Sequence, residues 1–96
     1  MKLVSVKPSD RQDKKFVAEF LMPDGRKKHT HFGASGYTDY TLGASKETRD
    51  AYRTRHKKDL ETNDPTRAGF LAMSILWGDS RSLNTNIAAY KKKYGL

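Results

Sequence analysis

The sequence predicts an α+β protein, with an N-terminal antiparallel sheet of about three strands packed against three C-terminal helices. Before residue 33, apolar residues alternate with polar ones, which is the period of β-strands. After residue 45, apolar residues recur every three or four positions, which is the period of amphipathic helices. The chain has 96 residues, the size of one ordinary domain. We therefore expect a single domain over 1–96, with a β region over 1–33 and a helical region over 45–94.

The sheet prediction rests on two apolar runs and a turn. Val4 and Val6 alternate with polar residues in a short first strand. A second run, 16–22, places four apolar residues on one face, namely Phe16, Ala18, Phe20 and Met22. The Pro-Asp-Gly sequence at 23–25 favours a tight turn, so 26–32 is predicted to return as the third strand.

The helix prediction rests on capping residues as well as on periodicity. Ser45 is a suitable N-cap for a helix running to about Leu60. Asp64 followed by Pro65 predicts the start of a second helix, and Gly78 predicts its end. The second helix is expected to be the central buried one, with Leu71, Ile75, Leu76 and Trp77 in the core. The third helix carries a thinner stripe of Leu83, Ile87, Tyr90 and Tyr94.

The strong positive charge is the main functional signal. The chain has 19 Lys and Arg against 11 Asp and Glu, for a formal net charge of +8. Because such a protein attracts polyanions, we expect folding to gather cationic residues from several segments onto one face. The residues predicted to contact nucleic acid from solvent-facing positions are Arg26, Lys27, Lys28, Arg49, Arg53 and Lys57.

No residue pattern points to a metal, a cofactor or a catalytic site. The chain has no cysteine, which excludes disulfides, thiolate zinc sites and thiol catalysis. His29 and His31 alternate along a predicted strand, but no spacing typical of metal ligands joins them to His56. No apolar run reaches the roughly 20 residues that span a bilayer. We therefore expect no metal, cofactor, signal peptide or membrane partner.

A set of motifs after residue 33 resembles a known family. Its members are the Gly36-Tyr37-Thr38-Asp39-Tyr40-Thr41 block, Arg49-Asp50 with Tyr52, Arg55-His56, Asn63-Asp64-Pro65, Ala68-Gly69-Phe70-Leu71 and Ile75-Leu76-Trp77. Together, over about Lys14 to Tyr94, they resemble a family of small basic proteins of unknown function from nucleocytoplasmic large DNA viruses, the giant viruses of algae and protists. The resemblance implies a viral or virus-derived origin and a role around a packaged or replicating genome. It therefore favours DNA over RNA as partner, and a location inside an infected host cell or in the virion rather than secretion.

The polar and aromatic residues of this motif set form a candidate cluster of Tyr37, Asp39, Tyr40, Arg55, His56 and Asp64. Its charged members could form a hydrogen-bonded tether between the loop at 33–44 and the helices. Alternatively, the tyrosines, arginine and histidine could form a small recognition surface for bases and phosphates. We favour the tether, because a chain with only 35% hydrophobic residues has a small core that needs polar support.

The leading functional hypothesis is a small nucleic-acid-binding accessory protein that contacts the phosphate backbone with little sequence specificity. The alternative is a structural or interaction module of the virion that docks on an acidic viral or host protein. A third hypothesis is a small nuclease-like enzyme using Asp39, His56 and Asp64. The sequence favours a binding protein over an enzyme, because no local arrangement sets a nucleophile beside an oriented base.

Overall fold

A computed structural model describes residues 1–96 and confirms the α+β class. The sheet contains strands β1 (Lys2–Pro8), β2 (Lys14–Leu21) and β3 (Lys27–Ala34), antiparallel and in the order β1-β2-β3. Phe16 lies opposite Phe32 across the β2–β3 pair. Phe16, Ala18 and Phe20 share the inner face of β2, as the alternating pattern predicts.

A β-bulge in β1 changes which residues of that strand face the core. Leu3 lies opposite Phe20 and Ser5 lies opposite Glu19, so Val4 is an extra residue with no partner. Leu3 is therefore buried, whereas Val4 is 53% exposed. The prediction that Val4 and Val6 share a face is wrong, because the bulge shifts the alternation by one residue.

Four helices follow the sheet. Their bounds are α1 (Lys46–Arg55), α2 (Lys57–Glu61), α3 (Ala68–Leu71) and α4 (Leu83–Tyr94). The Ser45 hydroxyl accepts from the backbone N–H of Thr48, which confirms the predicted N-cap of α1. Ser82 caps α4 in the same way, and Gly95 ends it in the left-handed conformation.

The predicted helix from Ser45 to Leu60 is two helices, because the chain leaves helical geometry at His56. One turn earlier, the Thr54 hydroxyl donates to the Asp50 carbonyl oxygen. Such a bond from a threonine to the preceding turn competes with the helical ladder and bends helices. The bend lets α2 turn toward α3, which it contacts.

The predicted start of the second helix at Pro65 is also wrong, since α3 begins at Ala68. Thr66 is buried, and its carbonyl oxygen accepts from the Thr30 hydroxyl of β3 at 2.8 Å. Its hydroxyl accepts from Lys28 Nζ, also of β3. The sheet therefore takes the Thr66 carbonyl oxygen, which would otherwise accept from a backbone N–H within a helix.

The central helix continues beyond α3 as a π-helical segment over Ala72–Leu76, in which the N–H of Trp77 donates to the Ala72 carbonyl. The wide π-helical turn leaves carbonyl groups that have no backbone N–H partner inside the helix. The amide of Asn86 in α4 donates to the Ile75 and Ser80 carbonyls and accepts from the Ser80 N–H. A Cβ on Gly78 would lie 2.7 Å from the Asn86 amide carbon, so only glycine fits there.

The core lies between the sheet and the central helix. Its largest fully buried members include Phe20, Phe32, Leu71, Ile75 and Leu76. This confirms the prediction that the second helical segment is central. Every buried polar side-chain atom has a hydrogen-bond partner. None of the helices combines the length and the apolar composition required to cross a bilayer.

We predict that Asn86→Ala destabilises the protein by about 2–4 kcal/mol, because one buried and two partly buried backbone groups lose their partner. The measurement is the free energy of unfolding in urea. Asn84→Ala, an exposed site on the same helix, is the control and should change it by less than about 0.5 kcal/mol. Equal losses for the two variants would contradict this role for Asn86.

Candidate functional site

Asp39 is the anchor of the loop between the sheet and the helices. It is 1% exposed, and it caps the short 3₁₀ turn over Tyr40–Leu42. One carboxylate oxygen accepts from the Thr41 N–H, the Thr41 hydroxyl and the Leu42 N–H. The other oxygen accepts from Lys15 Nζ at 2.7 Å. Four donors thus hold the carboxylate, and through it the loop, in place.

Gly33 allows Lys15 to reach Asp39. The φ angle of Gly33 is +81°, a conformation that side chains rarely adopt. A Cβ at this position would lie 3.2 Å from the Lys15 Cβ and 2.7 Å from the Leu76 Cδ1. The aliphatic stem of Lys15 therefore packs closely against the bare backbone of β3 on the way to the loop.

Three rings form a column on the other side of this loop. The Tyr52 ring stacks on Trp77 with centroids 4.2 Å apart, and on His56 with centroids 4.1 Å apart. Burial raises the pKa of the Tyr52 hydroxyl. Arg53 Nη1 donates to the Met73 and Trp77 carbonyl oxygens and so fixes α1 against the central helix.

We name the cavity between this column and the loop the aromatic cleft. It has a volume of about 460 Å³, within the usual range of ligand pockets. Its lining includes Tyr37, Asp39, Tyr52, Arg55, His56 and Trp77. Four of the six predicted cluster residues, Tyr37, Asp39, Arg55 and His56, are therefore brought together. Asp39 ties the loop to β2 through Lys15 and not, as was predicted, to the helices. Tyr37 and Arg55 are exposed to solvent.

The other two members of the predicted cluster lie elsewhere. Tyr40 packs beneath two guanidinium groups, with Arg81 at 4.3 Å and Arg49 at 5.3 Å from its ring centroid. Asp64 accepts from the N–H and the hydroxyl of Thr66 in the turn before α3. Asp64 therefore does not join the other acidic residue of the hypothetical nuclease site.

A second cavity adjoins the aromatic cleft, and we name it the basic cleft. It has a volume of about 630 Å³, and its lining includes Lys14, Lys15, Tyr37, Thr38, Leu42 and Arg81. Lys15, Tyr37 and Thr38 line both clefts. The Tyr37 side chain, 72% exposed, stands at their boundary.

The two clefts together are cationic. Lys14, Arg55 and Arg81 line them and form no ion pair with any carboxylate. Asp39 is the one carboxylate in the lining, and Lys15 neutralises it. Lys14, Lys15 and Arg81 were not among the predicted contacts, because Arg81 is more than 60 residues from the two lysines in the chain and only folding brings the three together. A buried Asp39 needs a cationic partner, and this need was the one signal that could have indicated a lysine or arginine here.

Two of the predicted nucleic-acid contacts, Arg49 and Arg53, do not lie at free solvent-facing positions. The Arg49 side chain is 13% exposed and donates to the Gly78 carbonyl and to the Asp79 carboxylate. Arg53 is half-buried on the carbonyls of the central helix. Both side chains were predicted to be exposed to solvent. This is wrong, because they donate to carbonyl groups in and just after the π-helical segment.

The remaining predicted contacts are exposed but lie outside both clefts. Arg26 is in the turn between β2 and β3, and Lys57 begins α2. Lys28 Nζ donates to a threonine hydroxyl in front of α3. Lys27 lies on the outer face of the sheet.

The outer face of the sheet carries further cationic groups. Lys2 and Lys27 flank Leu21 in the cross-strand register, and Lys7 flanks Val17. No side chain of this face is buried. Its two histidines, His29 and His31, bond to Glu19 and Ser9 respectively, while His56 lies in the aromatic cleft.

Comparison with known proteins identifies a family from the segment that forms most of the site. The model of a family of unknown function, DUF5754, matches residues 4–56, more than half of the chain. The protein belongs to this family. The matched segment of this DUF5754 member runs from β1 to His56 and contains every cleft residue named above except Trp77 and Arg81. No curated protein and no solved structure matches the chain.

We predict that Lys15→Met destabilises this DUF5754 member by about 3 kcal/mol, because it leaves the buried Asp39 carboxylate without its cation. Lys14→Met is the matched control, since the neighbouring lysine forms no ion pair, and it should cost less than about 0.5 kcal/mol. Urea unfolding at neutral pH measures both values. A loss for Lys15→Met as small as that for Lys14→Met would contradict the anchoring role of Asp39.

We also predict a pH dependence that originates at Asp64. Hydrogen bonds from Thr66 hold the pKa of this carboxyl below its ordinary value. Its contribution to stability is therefore present above the ordinary carboxyl pKa of about 3.9 and is lost as the pH falls through the lower folded value. The stability advantage of the unmodified protein over Asp64→Asn should shrink between about pH 5 and pH 2 in urea unfolding. Asp10→Asn, at an exposed site, should show no such change.

Proposed function

We propose that this protein binds nucleic acid, DNA in preference to RNA, through phosphate contacts along the aromatic and basic clefts. One observation carries the proposal: the two clefts adjoin at Tyr37 and present three cations, Lys14, Arg55 and Arg81, without a free carboxylate. Backbone phosphates are the repeated anions that such a row of cations attracts.

The chemistry of the three cations suits phosphate. The guanidinium groups of Arg55 and Arg81 can each donate two hydrogen bonds to one phosphate. Lys14 provides a point charge beside the sheet edge. Contacts of this kind position a nucleic acid without reading its sequence, so we expect little sequence specificity.

The preference for DNA and the setting of a viral genome rest on the resemblance to proteins of large DNA viruses. The residues that line the clefts support neither of these two points. Competition between DNA and RNA strands of the same sequence tests them directly, because phosphate contacts alone do not distinguish the two polymers. Tighter binding of the RNA strand would overturn the preference for DNA.

We predict that the triple variant Lys14→Gln, Arg55→Gln, Arg81→Gln weakens binding of a short single-stranded DNA by at least tenfold, roughly, at moderate salt. The slope of log K against log salt should become shallower by about 2, since each lost phosphate contact removes about 0.7. Fluorescence anisotropy at several salt concentrations measures both. Lys15 is left unchanged, because it supports the buried Asp39.

The matched control is Lys2→Gln, Lys7→Gln, Lys27→Gln on the outer face of the sheet. Each triple lowers the formal net charge equally, so a general effect of charge predicts equal losses. The cleft proposal requires the larger loss in the cleft variant. Equal losses, or a larger loss in the sheet variant, would overturn it. No DNA binding by the unmodified protein at low salt would also overturn it and leave docking on an acidic protein as the alternative.

A further inference from the structure

We infer that the aromatic cleft accepts one unpaired nucleobase from a bound single strand. The inference rests on the proposed function and deepens it, because it specifies single-stranded DNA rather than duplex as the ligand. It adds a stacking contact in the aromatic cleft to the phosphate contacts of the three cations.

The column of rings is the first support. Trp77 is its buried end, Tyr52 is its middle, and His56 is its outer end, with 43% of the side chain exposed. Every base has a flat π-face, and flat rings stack on aromatic side chains with little dependence on sequence. A base that enters the cleft therefore extends a column that is already formed.

The second support is the exposed ring of Tyr37 on the loop side of the same cavity. A large apolar side chain with 72% of its surface in water gains most when another flat group covers it. Asp39 holds the loop that carries Tyr37, so the ring is presented from an ordered segment. His56 and Tyr37 thus give one base two exposed rings in one cavity.

The polar lining is the third support. Thr38, Thr48 and Arg55 line the cavity and carry hydroxyl and guanidinium groups. These groups can bond to base edges or to the attached phosphate. Asp39, the one carboxylate in the lining of the cavity, is neutralised by Lys15.

A base in duplex DNA is stacked and paired, so it cannot enter a cleft without being extruded at an energetic cost. A single strand has bases that are already unpaired. The cleft therefore selects single-stranded DNA over duplex of the same length, whereas phosphate contacts alone do not.

The experiment compares three probes: a single-stranded oligonucleotide, a chain of the same length made of abasic sites, which carries the same phosphates, and a duplex. We expect the abasic chain to bind at least about fivefold more weakly than the base-containing strand. The salt slopes of these two single strands should agree, because their phosphates are the same. Emission of the single tryptophan, Trp77, should change with the base-containing strand and not with the abasic chain.

Tyr37→Ala provides the site-specific test, since this exposed residue forms no hydrogen bond and its replacement leaves the core untouched. We expect it to weaken binding of the base-containing strand toward the level of the abasic chain, and to leave abasic binding unchanged. Tyr37→Phe should retain binding, because the ring remains. Val4→Ala, at an exposed position in β1 outside both clefts, is the control and should bind both strands normally.

The outcomes separate this inference from the proposed function. Equal affinity for the base-containing and abasic chains, or duplex binding as tight as single-strand binding, would overturn the base site and leave the phosphate contacts standing. A base preference that persists in Tyr37→Ala would also overturn the assignment to this cleft. Failure of every probe to bind at low salt would overturn the proposed function, and the base site with it.

Discussion

The site depends on the burial of one carboxylate. A buried charge is tolerated only when hydrogen bonds and an opposite charge replace its lost hydration. Asp39 meets this requirement with three donors from its own turn and with Lys15 from β2. The same bonds hold the loop across the edge of the sheet, so the anchor creates the boundary at Tyr37 between the two clefts. The glycine at position 33 is part of this constraint, because the lysine stem passes over it.

A second constraint explains why the net charge of +8 overstates the cations available to a ligand. The irregular end of the central helix leaves carbonyl groups that need donors. Arg49 and Arg53 supply them from α1, and Asn86 supplies others from α4. These side chains hold the aromatic column in position, so their donor groups are not available to a ligand. The free cations of the clefts are therefore fewer than the composition suggests, and their placement matters more than their total.

Local rules predicted the parts of the fold that neighbouring residues control. The helix cap at Ser45 and the inner face of β2 agree with the structure, because caps and alternation act within a few residues. The predictions were wrong where groups distant in the chain alter strand pairing or bond to the backbone. A bulge opposite β2 turned Val4 outward, and bonds from β3 to Thr66 delayed the start of α3. Sequence periodicity contains no information about such partners.

The sequence by itself determined the α+β class, the excess of positive charge and the motif residues Tyr37, Asp39, Arg55 and His56, which the fold brings to one cleft. Composition, periodicity and short motifs are local properties, so they can be read along the chain. Only the tertiary structure decided which cations are free. Arg53 is turned inward to backbone carbonyls, while Arg81 lies beside a loop some 40 residues away in the chain. The physical reason is that each donor bonds to the nearest unsatisfied acceptor in space, and folding alone sets that proximity.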